Sequence, residues 1–208
     1  RYWDRPRFTK RPCPLRPRYW SFSITTAPRE MTVSTLPSIV QPSHAEWVGD
    51  AHRRFPGRIL PAMIVDPTRG YAEVQRVVEY HERFGVRCLR IPPFRYSLPP
   101  TDRVYWPFYV KALELDIPVS MNAGMPGPRR PGWVQNPMYY DEVAFNFPEL
   151  RIVMTHCGQP WTDEALSVIA HWDNVYMACT SVAPKYWPGA FVQFINTRGR
   201  EKMLFGTE

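Results

Sequence analysis

From about residue 58 to the last position, short apolar runs alternate with longer segments of helical period. The strand-like runs are 58–65 (RILPAMIV), 86–91 (VRCLRI), 117–121 (IPVSM), 151–155 (RIVMT), 174–178 (NVYMA) and 202–205 (KMLF), with a weaker seventh at 32–36 (TVSTL). Between them, helices are predicted over 71–84, 104–115, 137–147, 162–172 and about 189–198. In the first of these Val74, Val77, Val78 and His81 share one stripe while Glu73, Arg76, Glu79 and Arg83 point elsewhere, as on a helix lying against a sheet. Strands joined by helices run parallel, and several runs are apolar enough for both faces to be buried. A doubly wound nucleotide fold would show a G-x-G-x-x-G turn after its first strand; neither that nor a P-loop occurs. The expected fold is therefore α/β, a TIM-type (β/α)8 barrel.

Size and charge refine this picture. The 208 residues, 44% hydrophobic and 14% aromatic, suffice for one domain with a large core, but a full eight-stranded barrel usually needs about 250 residues. The barrel is expected to be incomplete. The net charge of +7 is concentrated at the start, where residues 1–30 hold eight basic side chains against Asp4 and Glu30. These thirty residues also carry five prolines and no period, so they read as a basic, Pro-rich, disordered leader, and 31–208 as the partial barrel domain. The barrel is almost neutral, which argues against nucleic acid as its main partner. No apolar run of about 18 residues suggests a membrane span, and Cys13, Cys88, Cys157 and Cys179 lack C-x-x-C spacing. Buried thiols in a cytoplasmic protein are expected.

In such a barrel the working residues stand at the carboxyl ends of strands, here Asp66, Arg90, Asn122, His156, Thr180 and Glu208. His156 ends the strongest strand and precedes a Cys-Gly-Gln-Pro-Trp loop; neutral imidazole there can take a proton from water or hold a metal. Asn122 can orient a substrate through its amide, and Arg90 can grip a carboxylate or pair with an acid at the mouth. Trp161 is placed to wall a pocket, and Glu208 can ligate a metal. Asp66 before Pro67 reads as a turn or capping residue, and His44, His52, His81 and His171 as packing or surface residues. The Pro/Gly-rich stretch 123–137 follows a strand directly, where loops shape a barrel's active site.

Several motifs carry a resemblance: Phe55-Pro56-Gly57-Arg58 leading to Val65-Asp66-Pro67, the run from Phe147 to Val153, the run from Thr155 to Leu166, Asn174-Val175-Tyr176, and Leu204-Phe205-Gly206-Thr207. In this order and spacing the chain resembles the amidohydrolase-related family of metal-dependent hydrolases and decarboxylases, the branch that includes aminocarboxymuconate-semialdehyde decarboxylase. The resemblance implies a divalent metal, usually zinc, bound by an H-x-H pair on the first strand, a histidine on the fifth and an aspartate on the eighth, with a sixth-strand histidine as catalyst. On that plan 32–36 is the second strand and 202–205 the eighth, and His156 falls on the sixth-strand histidine. No H-x-H occurs, Asn122 occupies the fifth-strand histidine position, and Glu208 replaces the aspartate. The first strand and the C-terminal end of the barrel are thus expected to be missing, and such an open barrel is expected to self-associate. The resemblance implies a hydrolase of a small polar or aromatic acid, with His156 as general base or electrostatic catalyst, Asn122, Arg90 and Trp161 on the substrate, and Glu208 on the metal. Two alternatives stand beside it, a decarboxylase of the same family and a non-catalytic barrel that has lost its metal site.

Overall fold

The computed structural model describes residues 31–34, 42–55 and 58–205. Its strands are β1 (Met31–Ser34), β2 (Ile59–Ile64), β3 (Cys88–Ile91), β4 (Val119–Asn122), β5 (Ile152–Thr155), β6 (Val175–Cys179) and β7 (Met203–Phe205). They form one seven-stranded sheet in the order β1 to β7, every neighbouring pair parallel. Each strand lies beside its predecessor with no reversal of order, which is the winding of a barrel and not of a doubly wound sheet. The architecture is an incomplete TIM-type α/β barrel, and among the described residues the sheet stays open between β1 and β7. All seven expected strands are present within a few residues; the leader 1–30, with Cys13, lies outside the described residues.

The helices are α1 (Pro42–Arg54), α2 (Tyr71–Phe84), α3 (Pro93–Tyr96), α4 (Trp106–Glu114), α5 (Tyr139–Asn146), α6 (Thr162–His171) and α7 (Gly189–Asn196). The periodicity predicts five of them. It misses the short α3 and, more seriously, α1, which buries only Ala45 and Val48 among its described side chains and so has little apolar stripe to read. That helix docks through Gly49, where a Cβ would meet Phe84 at 3.0–3.2 Å; the bare backbone lets α1 and α2 approach closely. None of the described helices is long and apolar enough to cross a membrane.

The core lies between one face of the sheet and the helices. Leu89, Ile91, Val119, Met121, Ile152, Met154, Val175 and Met177 are each at most 1% exposed and pack with Val77, Phe108, Tyr109, Tyr140, Ala165, Ile169 and Phe191. The expectation that several strands are buried on both faces holds for β5 and for the middle of β2 but not for β3, β4 and β6. Along β3, β4 and β6 the alternate residues Arg90, Ser120, Tyr176 and Ala178 are only half-buried. These belong to the concave face, where a barrel carries its site, and the period of two separates them from the core.

Helix α2 also buries an acid. Glu73, off the apolar stripe, is fully buried, accepts hydrogen bonds from Arg76 Nε at 2.9 Å and from the Asp66 amide at 2.9 Å, and pairs through its other contacts with Arg76 Nη2 and Arg69. A carboxylate inside the shell is tolerated there because both oxygens are occupied. Asp66 behaves as expected, its side chain accepting from the Thr68 amide at 3.0 Å and capping the turn that starts at Pro67. His52 and His81 donate to the Ile59 and Val86 carbonyls, the packing roles expected of them.

Candidate active site

The carboxyl ends of β3 to β6 bring together residues far apart in the chain. Register sets Arg90 opposite Ser120 and Asn122 opposite Thr155, so all four share the concave face. The Arg90 guanidinium donates through Nη1 to Thr155 Oγ1 at 3.1 Å and to Ser120 Oγ at 3.4 Å, and its Nη2 lies 3.3 Å from Nε2 of His156. On the other side of the imidazole, Nδ1 lies 2.8 Å from Thr180 Oγ1 and 2.9 Å from Ser181 Oγ. Both ring nitrogens are therefore engaged, one by β3 and the other by the turn after β6.

The backbone that carries His156 is held in an uncommon shape. His156, Cys157 and Gly158 have φ of 73°, 60° and 68°, three successive left-handed residues of which two carry a Cβ. Such residues cost on the order of 1–3 kcal/mol each and persist only where the surroundings hold them. The surroundings here are the 123–137 loop and the buried thiols. Gly124, at φ 98°, sits where a Cβ would fall 2.5 Å from the Gln159 carbonyl, so the two loops touch backbone to backbone. The Met125 amide donates to that same carbonyl at 2.7 Å, and the fully buried Gln135 ties the loop to itself through Gly124 O at 2.6 Å. Cys157 and Cys179 are buried and free. The Cys179 thiol donates to Cys157, which lowers the pKa of Cys157 and raises that of Cys179. Burial pushes the third thiol, Cys88, up to about 12 even though the charge of Arg90 opposes it.

Asn122 contrasts with His156. It is 5% exposed at the end of β4, and its Oδ1 is a buried acceptor without a hydrogen-bond partner. Its backbone carbonyl is satisfied, by the Tyr140 hydroxyl at 2.6 Å. Unpaired buried acceptors are rare in native folds.

Of the residues expected from the sequence, Arg90, His156 and Thr180 meet directly, and Asn122 stands on the same face beside Thr155. Trp161 is half-buried at the start of α6, and no hydrogen bond or ring contact among the described residues joins it to His156. Glu208, the expected metal ligand, lies outside the described residues. Sequence reasoning missed Ser120, Thr155, Gln135 and Ser181. Ser120 and Thr155 had a faint signal, being polar residues inside otherwise apolar strands; Gln135 and Ser181 had none.

The same residues test the fit of a metal. Among the described residues no three His, Cys, Asp or Glu side chains gather as a cage. The free Oδ1 of Asn122 is neutral, and Nε2 of His156 faces a guanidinium. A catalytic zinc site needs about three protein ligands, so the described residues alone do not fit a metal centre.

Comparison with known proteins places this geometry. The model of the family described as "Amidohydrolase" matches residues 8–208. The chain belongs to the amidohydrolase family. A curated relative, 2-keto-4-carboxy-3-hexenedioate hydratase of Sphingobium sp., is 32% identical over 108 residues, covering 45% of this chain and 31% of the relative. An uncharacterized TIM-barrel protein from Bordetella bronchiseptica matches with a TM-score of 0.64 at 24% identity, over 78% of this chain and 58% of that one. The 5-carboxyvanillate decarboxylase of Novosphingobium aromaticivorans, complexed with manganese and 4-hydroxy-3-methoxy-5-nitrobenzoic acid, matches with a TM-score of 0.63 at 13% identity, over 86% of this chain and 66% of that one. At these identities the two solved structures show the shared barrel. This amidohydrolase chain thus spans about a third of the curated relative and somewhat over half of the Bordetella protein.

Proposed function

We propose that the whole protein is an enzyme that adds water to a small carboxylated acid, with His156 as the general base. The observation carrying this reading is the nitrogen Nε2 of His156 at the carboxyl end of β5, facing a guanidinium that can only donate. A nitrogen so placed has no proton of its own; when a substrate anion draws the Arg90 guanidinium onto its own oxygen, Nε2 is released to take a proton from water. The hydroxide that forms as the proton leaves attacks an electrophilic carbon. If that carbon belongs to an ester, lactone or amide carbonyl, the outcome is hydrolysis. If it ends a carbon–carbon double bond conjugated to a carbonyl, the outcome is hydration, and the neighbouring carbon takes a proton.

The Sphingobium relative, a hydratase of a keto-carboxy-hexenedioate by its name, supports hydration and a substrate bearing several carboxylates. Asn122 would accept a hydrogen bond from the substrate at Oδ1, Arg90 would orient an anionic oxygen, and Trp161 would wall the pocket. Decarboxylation is the second reading: once Nε2 has gained a proton it can deliver that proton to the carbon that loses carbon dioxide, and the manganese-bearing decarboxylase shares the barrel. A divalent ion in the whole protein would draw on residues beyond those described, Glu208 among them, and elemental analysis of the full-length protein tests for it. We place the enzyme in the cytoplasm, where its buried free thiols stay reduced.

The deciding experiment offers the full-length protein unsaturated keto-dicarboxylic and keto-tricarboxylic acids, aromatic carboxylic acids, and lactones. Loss of conjugated absorbance, release of carbon dioxide and release of acid are followed in parallel. Hydration that disappears in His156→Ala supports the proposal. Carbon dioxide release alone moves the assignment to the second reading, and an absence of turnover with every class, metal supplied, leaves a ligand-binding barrel.

A further inference from the structure

The hydroxyls that meet His156 from the turn after β6 belong to neither the strand that carries it nor the proposed chemistry. Thr180 Oγ1 and Ser181 Oγ approach the same nitrogen, Nδ1, at 2.8 and 2.9 Å. They come there because β6 ends at Cys179, the Thr180 amide turns back to the Ala178 carbonyl at 3.0 Å, and Ser181 adopts φ 63°. A left-handed serine is uncommon, and here its hydroxyl arrives at the imidazole. We propose that Thr180 and Ser181 are positioning residues that fix His156 as the Nδ1–H tautomer, which leaves Nε2 as the bare nitrogen on the concave face.

Among the described contacts the proton count fits one assignment. Arg90 has only donors, so Nη2 donates and Nε2 accepts. A neutral imidazole whose Nε2 is bare carries its proton on Nδ1. A hydroxyl both donates and accepts, so two hydroxyls at Nδ1 suit a protonated nitrogen that shares its hydrogen between them. The doubly protonated ring would turn an N–H toward the guanidinium cation, which is repulsive. The hydrogen bond at one nitrogen thus sets the state of the other, as it does for metal-bound and catalytic histidines generally. Arg90 sets which nitrogen is bare, and the two shorter contacts on Nδ1, at 2.8 and 2.9 Å against 3.3 Å, hold the ring in place and accept its proton. The left-handed His156–Cys157–Gly158 segment has the same need, because a ring on a strained backbone requires tertiary contacts to keep its orientation.

This inference rests on the reading of His156 as the base, but its test does not require turnover. Histidine-selective 15N labelling of the full-length protein, with long-range proton–nitrogen correlation at neutral pH, reports each ring nitrogen as protonated or bare; the His156 signals are assigned by their loss in His156→Gln. The expected wild-type pattern is Nδ1 protonated and Nε2 bare. In the Thr180→Val, Ser181→Ala double variant that pattern should give way to a mixture of tautomers or to Nε2–H, while Thr180→Ser, which keeps the hydroxyl, should preserve it. Where turnover is measurable, the double variant should lose about 10- to 100-fold in kcat with little change in KM. A wild-type ring with Nε2–H, or a folded double variant with an unchanged spectrum, overturns the proposal. Should the double variant fail to fold, the wild-type spectrum and Ser181→Ala still decide it. A correct tautomer in a protein whose His156→Ala variant keeps full turnover would instead overturn the general-base reading and leave this one standing.

Discussion

Leu89 and Arg90 are neighbours on β3 and experience opposite environments. Leu89 faces the helices with no exposure, in a layer made of Ile91, Val119, Met121, Ile152 and Met154. Arg90 faces the concave side, where its donors reach Ser120, Thr155 and His156 across two strands. One face therefore stores stability in packing, where a side chain is replaceable by another of similar shape. The other holds polar groups in fixed directions, where the identity of each atom matters and removal of a partner leaves its mate unsatisfied. Within the concave face His156 and Asn122 differ again. The first has contacts at both ring nitrogens, and the second keeps a buried acceptor without a partner.

Variants on the two faces should separate activity from stability. The largest effect is expected from His156→Ala in the full-length protein, about 10²- to 10⁴-fold in turnover, with a thermal midpoint close to that of the wild type because the residue is half-buried. A large loss of stability instead would mean that the concave network also holds the fold.

Next comes the helix-facing layer. Leu89→Ala should cost about 2–5 kcal/mol by denaturant unfolding and leave the His156 tautomer unchanged in the protein that remains folded. Glu73→Gln should cost less, about 1–3 kcal/mol, because Arg76 is partly solvated and keeps some of its hydration when the charge of its partner is removed.

Alkaline pH should weaken the fold on both sides of the sheet. Burial raises Tyr96 to about 12, raises Cys88 to about 12, and raises Tyr105, Tyr109 and Tyr140 as well. Each of these groups is neutral when protonated, and its folded pKa lies above its unfolded one. The unfolded chain then ionises first, so stability is complete below the ordinary thiol and phenol range and declines as pH rises through it toward about 12. Tyrosinate absorbance should rise together with loss of helical circular dichroism; phenols that titrate freely while the fold persists would contradict the burial assignment.

The smallest effect on stability is expected at Asn122. Asn122→Ala should change the unfolding free energy by no more than about 1 kcal/mol, since the lost Oδ1 was unsatisfied, while substrate binding weakens. A loss of several kcal/mol would show that the amide is a structural bond-former and not a group held for a ligand.

The strands, their order and the placement of His156 at the end of β5 were legible from the sequence, because each depends on local period: two for a strand, 3.6 for a helix, and a Gly where the chain turns. Likewise local was the turn at Asp66. Helix α1 escaped because its contact with the rest of the molecule runs through Gly49 and two small apolar residues, and the burial of Glu73 was not legible because it depends on Arg76 and on the amide of Asp66 seven residues earlier. The state of His156 was beyond sequence altogether. Its partners lie 66 residues before it and 24 and 25 after it, and they meet only because β3, β5 and β6 are carried in one parallel sheet. Periodicity is a property of neighbours along the chain and fixes which residues face inward. Hydrogen bonding depends on neighbours in space to within a few tenths of an ångström, and strand register with left-handed turns supplied that here.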